Sequence, residues 1–509
     1  MATTRHQEIE RKYDVEASTI FPTLVDEATG FTVGQAVEHH LEAVYFDTSG
    51  LDLSRRGVTL RRRTGGDDAG WHLKVPGGRD SRIEMRRPLG HISDQPPSDL
   101  LDPVRAVVRD RPLVPVARVS TRRREYPLLG PEHDVLAHVC DDEVDAERLD
   151  EGRAVRWREW EVELADGDRS LLDEVEPRLL DAGASPAAIG SKLARVLGDS
   201  LPAPGGAASG EDLAQGSAAD LVRALLTEQA QKLQERDAGF RAERSDSIHK
   251  LRIAARRLRS TLTTYRPLFG PDATGGLRDE LRWLGQELAP ARDAQVLREH
   301  LNAVLAEEPA ELVIGQVASR IDDELTTAYQ AGLERARRAL DSERYFRLLD
   351  ALDELVSAPA LRPEADEPAP EVLAGLLARD AKRVRRAVRE VKAADGAHER
   401  DLALHEARKK AKRLRYAAES AIPVFADRAK DYAKGVKNLQ KTLGVRQDSV
   451  VARQALREYG VSAHLAGENA FTFGRLHGLE QARADQAGRA FRKAWKALPH
   501  TKVRAWFLA

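Results

Sequence analysis

An internal duplication constrains the second half of this chain more strongly than any other feature of its sequence. The segment HKLRIAARRLR at residues 249–259 is similar to HEARKKAKRLR at 405–415, and LGQELAPARD at 284–293 is similar to LQKTLGVRQD at 439–448. The two pairs occur in the same order and are displaced by 156 and 155 residues. Two matches at nearly one displacement indicate a repeated structural unit. Apolar residues three or four apart predict that this unit is helical.

The 509 residues divide near residue 201 into two regions with different patterns. Segment 201–217 is rich in Gly, Ala, Pro and Ser and predicts a flexible linker. Before it, eight strand-like runs separated by Gly and Pro predict an antiparallel sheet or barrel. These runs span residues 6–15, 43–48, 58–63, 71–75, 82–88, 118–126, 135–141 and 156–164. Helical patterns fit residues 18–28, 98–109 and 169–197, the last broken near Pro186.

We therefore predict a β-rich domain over residues 1–200, the linker 201–217 and an all-α domain over 218–509. The α domain contains two repeats at about 218–362 and 371–500, separated by a Pro-rich loop at 363–370. The two domains also differ in charge. Residues 1–200 contain 28 basic and 38 acidic residues, a net charge of −10, whereas the remainder has a net charge of +8. Opposite signs suggest two domains with different roles.

Composition excludes several classes of protein. A hydrophobic share of 42% is enough to build cores, so extensive disorder is not expected. No run approaches the ~18 apolar residues of a membrane span, and residues 1–14 lack the apolar region of a secretory signal. A single cysteine, Cys140, argues against a disulfide framework and against a cysteine zinc site. We expect a cytoplasmic protein with no membrane partner, and the sequence carries no signal for an oligomeric state.

Charged residues in the strand-like runs occupy alternate positions, which places them on one face of each strand. Acidic residues share a face in the first and last runs, at Glu8 and Glu10 and at Glu159, Glu161 and Glu163. Lys12 shares the face of Glu8 and Glu10, and basic residues occupy one face in other runs, at Arg61 and Arg63, His72 and Lys74, Arg82 and Arg86, and Arg123. A solvated outer face explains any single run. If the faces converge inside a barrel, the buried charges require a ligand to compensate them. Carboxylates would then hold Mg²⁺ or Mn²⁺, and Arg and Lys would hold phosphate oxygens.

The ordered motifs of this region resemble those of CYTH domains, the triphosphate tunnel metalloenzymes. The resemblance covers about residues 3–199 and rests on ExExK at 8–12, YFDT at 45–48, LRRR at 60–63, LK at 73–74, RxE at 82–84, TRR at 121–123, ExExE at 159–163 and SK at 191–192. It implies an eight-stranded antiparallel closed β-barrel with a charged tunnel. It also implies hydrolysis of triphosphate-containing substrates or, in one branch of the family, cyclisation of ATP.

The same resemblance implies roles for individual residues. Glu8, Glu10 and Glu161, with one or both of Glu159 and Glu163, would bind one or two Mg²⁺ or Mn²⁺ ions. Lys12, Arg61, Arg63, Lys74, Arg82, Arg123 and Lys192 would bind the phosphates. Glu84 would orient Arg82 or join the metal shell. We expect Glu8, Glu10, Lys12 and Lys74 to be catalytic in a metal-assisted hydrolysis, with His72 as a weaker candidate for a base. No Walker A sequence is present, which excludes a P-loop phosphohydrolase.

The helical repeats carry matching basic stripes with residues at offsets 0, 3, 7 and 10, which lie on one face of a helix. The stripes are His249, Arg252, Arg256 and Arg259 in the first repeat and His405, Arg408, Lys412 and Arg415 in the second. Arg257 and Arg413 add a basic position at offset 8, and Lys434, Lys437 and Lys441 form a further basic row. A solvated helix face is the alternative explanation. The stripes contain almost no acidic partners at i+4, so we expect like charges to repel one another until a polyanion binds. Few aromatic residues lie nearby, so nucleic acid is not the expected partner.

This half resembles the CHAD domain, over about residues 218–498, on the two HxxRxxx[RK]xxR stripes and the matched Asp293 and Asp448. The resemblance implies a pair of helical bundles with a basic cavity, lined by both stripes, that binds inorganic polyphosphate. Arg282 and Lys437 are second-rank candidates, and the two aspartates would cap helices or orient basic side chains. Because Gln447 matches Arg292, a shared role at that position is doubtful.

Together the domains predict a metal-dependent hydrolase of inorganic triphosphate or short polyphosphate, with the helical domain capturing polyphosphate. Three alternatives remain open: an adenylate cyclase, a polyphosphate-binding scaffold without activity, and nucleic-acid binding by the helical half.

Overall fold

The computed structural model describes residues 3–24, 30–78, 80–90, 95–201 and 210–509. The chain forms two compact units, Met1–Gly205 and Gly206–Ala509. The first contains a single antiparallel sheet. Its strands are β1 Thr4–Val15, β2 Thr32–Val33, β3 Val37–Asp47, β4 Thr59–Thr64, β5 Gly70–Gly78, β6 Ser81–Pro88, β7 Val114–Leu129, β8 Val135–Arg148, β9 Arg153–Leu164 and β10 Ser185–Pro186. Its helices are α1 Ser98–Leu101, α2 Arg105–Val108, α3 Arg169–Asp181 and α4 Lys192–Leu197.

The eight long strands close on themselves. Neighbours follow the order β1–β6–β5–β4–β3–β7–β8–β9, and β9 pairs with β1 again. Strand β1 closes the sheet. Its first half, Thr4 to Ile9, pairs with β6, and its second half, Glu10 to Val15, pairs with β9. β10 and β2 are two-residue additions to β1 and β7. The predicted eight-stranded antiparallel closed barrel is confirmed.

The apolar cores of this unit lie largely outside the closed sheet. Tyr13, Trp160 and Val162 pack with Leu172 and Val175 of α3 on one flank. A second cluster joins β4, β5 and β6 to α1 and α2. Since side chains alternate along a strand, burying one face outside turns the other face of β1 and β9 inward. That inward face is the charged one.

One local prediction for this unit needs correction. Residues 18–24 are not helical; Pro22 interrupts the segment, Phe21 stacks on Tyr126 at 4.4 Å, and the carbonyl of Thr19 accepts a hydrogen bond from Arg158. Residues 25–28 of that predicted helix lie outside the described residues. The break predicted near Pro186 in the helical segment 169–197 is confirmed, because β10 separates α3 from α4.

The second unit is helical, as predicted. Its helices are α5 Gly210–Gln215, α6 Ala218–Arg241, α7 Ser247–Thr264, α8 Gly275–Glu287, α9 Ala289–Ala306, α10 Val317–Leu340, α11 Glu343–Ser357, α12 Ala369–Ala393, α13 Ala397–Ser420, α14 Ile422–Leu465, α15 Phe471–Ala497 and α16 Val503–Leu508. The repeated segments fall on α7 and α13, and on the junction of α8 with α9 and the middle of α14. None of the described helices combines the length and apolar composition needed to cross a membrane.

The predicted linker is only partly supported. Residues 202–209 lie outside the described residues, but 210–215 form α5. Leu213 is buried and α5 contacts α14, so this short helix is anchored by apolar packing. Ser217 then caps α6 through a reciprocal pair of bonds with Asp220. The Pro-rich segment at 363–370 contains a short turn of 3₁₀ helix, Pro363–Asp366, before α12 begins.

Candidate functional site

The inside of the closed sheet contains a cavity of about 370 Å³ whose walls are mainly charged. Most of the residues predicted for the first domain line it: Glu8, Glu10, Lys12, Arg61, Arg63, Lys74, Arg82, Arg123, Glu161, Glu163 and Lys192. Glu159 is buried beside them and contacts Lys192 at 2.6 Å. The lining also includes His39, Tyr45, Arg86, Glu125 and His138, which the motifs did not single out as ligands.

The acidic residues of β1 and β9 meet because these strands pair. Glu10 lies opposite Glu163, and Lys12 lies opposite Glu161. Lys12 contacts both acidic groups, at 2.9 Å from Glu10 and more closely from Glu161. Burial alone would raise the pKa of Glu10, but Lys12 and Lys74 hold it below its ordinary value. Glu10 is therefore ionised and is balanced by the neighbouring ammonium groups.

Asp142 of β8 completes this wall and was missed by the sequence reasoning. Oxygens of Asp142, Glu159 and Glu161 lie within 4.8 Å of one another, and all three residues are buried. Arg123 donates two hydrogen bonds to Asp142, at 2.8 and 2.7 Å, and Lys192 donates one at 2.8 Å. Asp142 sits in the acidic run CDDEVD, where consecutive charges conceal the strand alternation. Its position opposite Glu159 and Arg123 could have been found only from the pairing.

Glu8 lies two residues before Glu10 on the same face of β1 and pairs with Lys74, whose ammonium group is 2.6 Å away. Burial raises the pKa of Glu8 to about 7, and repulsion from Glu84 and Glu163 adds to this, while Lys74 opposes it. Oε2 of Glu8 and Oε1 of Glu159 are buried, and each is ion-paired with an ammonium group, that of Lys74 or Lys192, at 2.6 Å. Carboxylate oxygens in this condition suit a hard divalent cation, so the residues present fit Mg²⁺ or Mn²⁺.

His72 and Glu84 have structural positions that differ from their predicted roles. His72 is completely buried, does not line the cavity, and joins Glu84 and the carbonyl of Asp68, each at 2.9 Å. Burial lowers the pKa of His72 to about 3, and its place outside the cavity lining argues against a role as catalytic base. Glu84 contacts Arg86 and does not orient Arg82, whose guanidinium donates to the carbonyl of Gly190 at 3.2 Å.

The basic walls come from β4, β5 and β7 and from the start of α4. Arg61 approaches the hydroxyl of Tyr45 at 3.4 Å. Burial, together with Arg61 and Arg123, lowers the pKa of Arg63 to about 9. Lys192 begins α4, whose Leu193, Val196 and Leu197 pack against the interior apolar residues of β7 and β8. This packing fixes the height of Lys192 in the cavity, since its helix is anchored to the sheet.

In the helical unit the two predicted stripes face each other: α7 contacts α13, and the charges of Arg252 and Arg256 act on Lys412 of the other stripe. Arg256 donates to the hydroxyl of Tyr416 at 3.0 Å. Arg252 contacts Asp293 at 2.6 Å, and the matching Arg408 of the second repeat is 3.8 Å from Asp448. The duplication is thus repeated in the contacts, and both aspartates orient basic side chains. His405 similarly pairs with Gln447 at 3.0 Å.

The charge balance of the stripes differs in part from the expectation. Arg415 has an i+4 partner, Glu419, at 3.3 Å, and Glu419 also binds Arg257 at 2.6 Å. Arg413 turns away and makes two bonds to the buried Asp380. The central positions remain strongly repulsive. Burial, Arg408, Arg256 and Arg252 lower the pKa of Lys412 to about 7, with Asp448 opposing them.

Comparison with known proteins agrees with this division of the chain. Residues 6–185 match the family model of the CYTH domain, and residues 224–457 match that of the CHAD domain. Over 97% of both lengths, the chain is 44% identical to "Uncharacterized protein MT2285" of Mycobacterium tuberculosis (strain CDC 1551 / Oshkosh). The chain belongs to the family that joins a CYTH domain to a CHAD domain. The CYTH domain is the closed sheet with its charged cavity, and the CHAD domain is the helical unit with its facing stripes.

Two solved structures resemble parts of this CYTH–CHAD protein. PptA from Streptomyces chartreusis is 24% identical, with a TM-score of 0.47, and the match covers 55% of this chain and 99% of that one. The CHAD domain from the plant Ricinus communis is 25% identical, with a TM-score of 0.43, and the match covers 58% of this chain and 93% of that one.

Proposed function

We propose that the CYTH domain hydrolyses inorganic triphosphate or short-chain polyphosphate with Mg²⁺ or Mn²⁺, and that the CHAD domain binds polyphosphate. One observation carries the first part of the proposal. One cavity is lined by carboxylates from β1 and β9 beside basic side chains from β4, β5, β7 and α4, and Asp142 of β8 is buried next to Glu161 at its edge. So many buried charges are costly in an empty protein and are compensated when a cation and a polyanion bind together.

The carboxylates divide into two groups that could hold the cation. Glu8 and Glu10 of β1 form one group, and Glu161 with Glu159 and Asp142 forms the other. The chemistry that a divalent cation supplies in such a site is polarisation of a phosphoryl group and a lower pKa for a coordinated water. We take Asp142 as the third member of the second group, since Asp142, Glu159 and Glu161 each offer a ligand atom within 4.8 Å of the other two.

The basic side chains would bind the phosphates by exchanging partners. Lys12, Lys192 and Arg123 are now paired with the acidic groups at 2.6–2.9 Å. When a cation replaces them at the carboxylates, their positive charges become available for phosphate oxygens. Donors already held in place stabilise the charge that develops on those oxygens during transfer. Lys12 keeps its proton, since burial opposes but the nearby carboxylates raise its pKa above the ordinary value.

The lining favours a bare triphosphate over a nucleotide. Among the described residues that line the cavity, Tyr45 is the only Phe, Tyr or Trp, so there is little aromatic surface for a base to stack on. An adenylate cyclase remains the alternative, and the assay below separates the two.

The test is phosphate release by the full chain from tripolyphosphate, ATP and thiamine triphosphate, with Mg²⁺, Mn²⁺ or chelator, and with cyclic AMP measured in the ATP samples. We expect release from tripolyphosphate that requires a divalent cation. The double variant Glu8→Gln with Glu10→Gln should lose at least about 100-fold in kcat. Glu147→Gln, an exposed carboxylate on the outer face of β8, is the matched control. Full activity in the double variant, or cyclic AMP as the main product, contradicts the proposal.

The facing stripes carry the second part of the proposal. The test is binding of polyphosphate to the full chain at several salt concentrations, because many phosphate contacts make the affinity strongly dependent on salt. Single-stranded RNA at equal phosphate concentration is the competitor. Binding without any phosphate release would favour the scaffold alternative, and RNA that displaces polyphosphate would favour nucleic acid.

A further inference from the structure

A groove of about 950 Å³ lies between α13 and α14 of the helical unit. Its basic residues are Arg408 and Arg415 from α13 and Lys434, Lys437 and Lys441 from α14, and its acidic residues are Asp431 and Asp448 of α14, so the basic residues predominate. The three lysines are spaced i, i+3 and i+7, so they lie on one face of α14. All three are exposed, and their ammonium groups form no ion pair within the part of the chain that the structure describes.

The first repeat has no equivalent row. A displacement of 155 residues places Asp279, Arg282 and Gln286 at the matching positions. Arg282 contacts Asp279 at 2.8 Å, so these positions have no net charge, whereas the row on α14 has a charge of +3. A solvated helix face accounts for exposed lysines in general, but it does not account for a row that is confined to one of two duplicated helices.

The groove is continuous with the stripes, because Arg408 and Arg415 belong to both. A chain of phosphates held between α7 and α13 could therefore continue along α14, where the lysine row follows directly on the basic residues of the stripes. Lys434 and Lys441 are separated by about 10 Å along the helix, at ~1.5 Å per residue. That distance is enough for several phosphates beyond those held by the stripes.

We propose that long polyphosphate leaves the facing stripes on one side only, over α14, and that Lys434, Lys437 and Lys441 bind its extension. This inference rests on the proposed binding of polyphosphate by the CHAD domain. It adds a direction and a dependence on chain length. Short chains that occupy only the stripes do not reach the row, whereas long chains gain three further contacts.

The experiment compares the full-length protein with the triple variant Lys434→Gln, Lys437→Gln and Lys441→Gln. The matched control replaces three exposed lysines on α12 and α15, Lys382, Lys493 and Lys496, with Gln. Affinity is measured for polyphosphates of about 5 phosphates, which match the ~15 Å length of a stripe, and of about 100 phosphates, at equal chain concentration and several salt concentrations. We expect the triple variant to bind the long chain about tenfold more weakly, with a salt slope smaller by about 2. Binding of the short chain, and both affinities of the control, should change less than about twofold.

Three results would overturn the inference. Equal weakening for both chain lengths would place the lysines within the central site. Unchanged binding of the long chain would identify a solvated face. Weakened binding of single-stranded RNA with unchanged polyphosphate affinity would assign the row to nucleic acid. Failure of the proposed function is visible separately, since the unmodified protein would then bind neither chain.

Discussion

The sharpest prediction concerns the protonation of Lys412 between the two stripes. Burial and the positive charges of Arg408, Arg256 and Arg252 lower its pKa from 10.5 to about 7, with Asp448 opposing them. One pKa unit corresponds to ~1.4 kcal/mol. Keeping this ammonium charged in the free protein therefore costs on the order of 5 kcal/mol, an upper value because the side chain retains some contact with solvent.

A bound polyanion should restore the charged form. If the pKa of Lys412 returns to its ordinary range, binding takes up about one proton at pH 9, and affinity falls about tenfold per pH unit above pH 8. Between pH 7.5 and 9 we expect the affinity for long polyphosphate to fall by roughly 20-fold. His249 titrates below this window, because burial and Arg292 lower its pKa.

The assay is titration calorimetry of the full chain with long polyphosphate, whose chain ends contribute little, in two buffers with different ionisation enthalpies. Lys412→Arg is the control, since a guanidinium stays charged throughout, and its affinity should be nearly flat across the same range. A flat profile in the unmodified protein, or the same slope in the control, would refute the reasoning. In the free protein the sign is reversed: the unfolded chain binds more protons between about pH 7 and 10.5, so Lys412 makes stability rise with pH there.

Three further predictions follow from single contacts. Asp142→Asn should raise the Mg²⁺ concentration needed for half-maximal activity by about tenfold or more, and an unchanged requirement would remove Asp142 from the cation site. Asp380→Ala should lower the free energy of unfolding by about 3 kcal/mol in urea titrations, because it leaves Arg413 without its buried partner; a loss below about 1 kcal/mol would show the pair to be dispensable. Mg²⁺ should change the tryptophan emission of the protein, and Trp157→Phe should remove most of that change, because the indole of Trp157 donates to Glu159 at 2.5 Å. The same change in both proteins would place the cation away from Glu159.

Alternation along the strands carried most of the prediction for the CYTH domain. It placed Glu8, Glu10 and Lys12 on one face, and the structure has all three in the cavity. It also placed His72 with Lys74, but only Lys74 reaches the cavity. Alternation specifies the side of the sheet on which a side chain lies, but not how deeply the side chain is buried. His72 is buried below the cavity surface, where it pairs with Glu84.

In the helical half, too, the sequence pattern predicted which residues share a face but not which residues they contact. Spacing predicted both stripes, and the duplication predicted that the two copies would behave alike. Spacing could not show that Arg413 pairs with Asp380 on α12, since that contact joins residues far apart in the chain. Nor could it show that Glu419 pairs with both Arg257 and Arg415.

Sequence by itself determined the periodicities: which residues share a strand face, which share a helix face, and which helices are copies of one another. Those properties follow from local backbone geometry, which needs no knowledge of neighbours. Tertiary structure decided which of those faces became enclosed and which opposite charges came within contact. Asp142 is the clearest case, because its meeting with Glu159, Arg123 and Lys192 depends on strand pairing and on the packing of α4. Long-range register brings together charges that no local pattern in the chain relates.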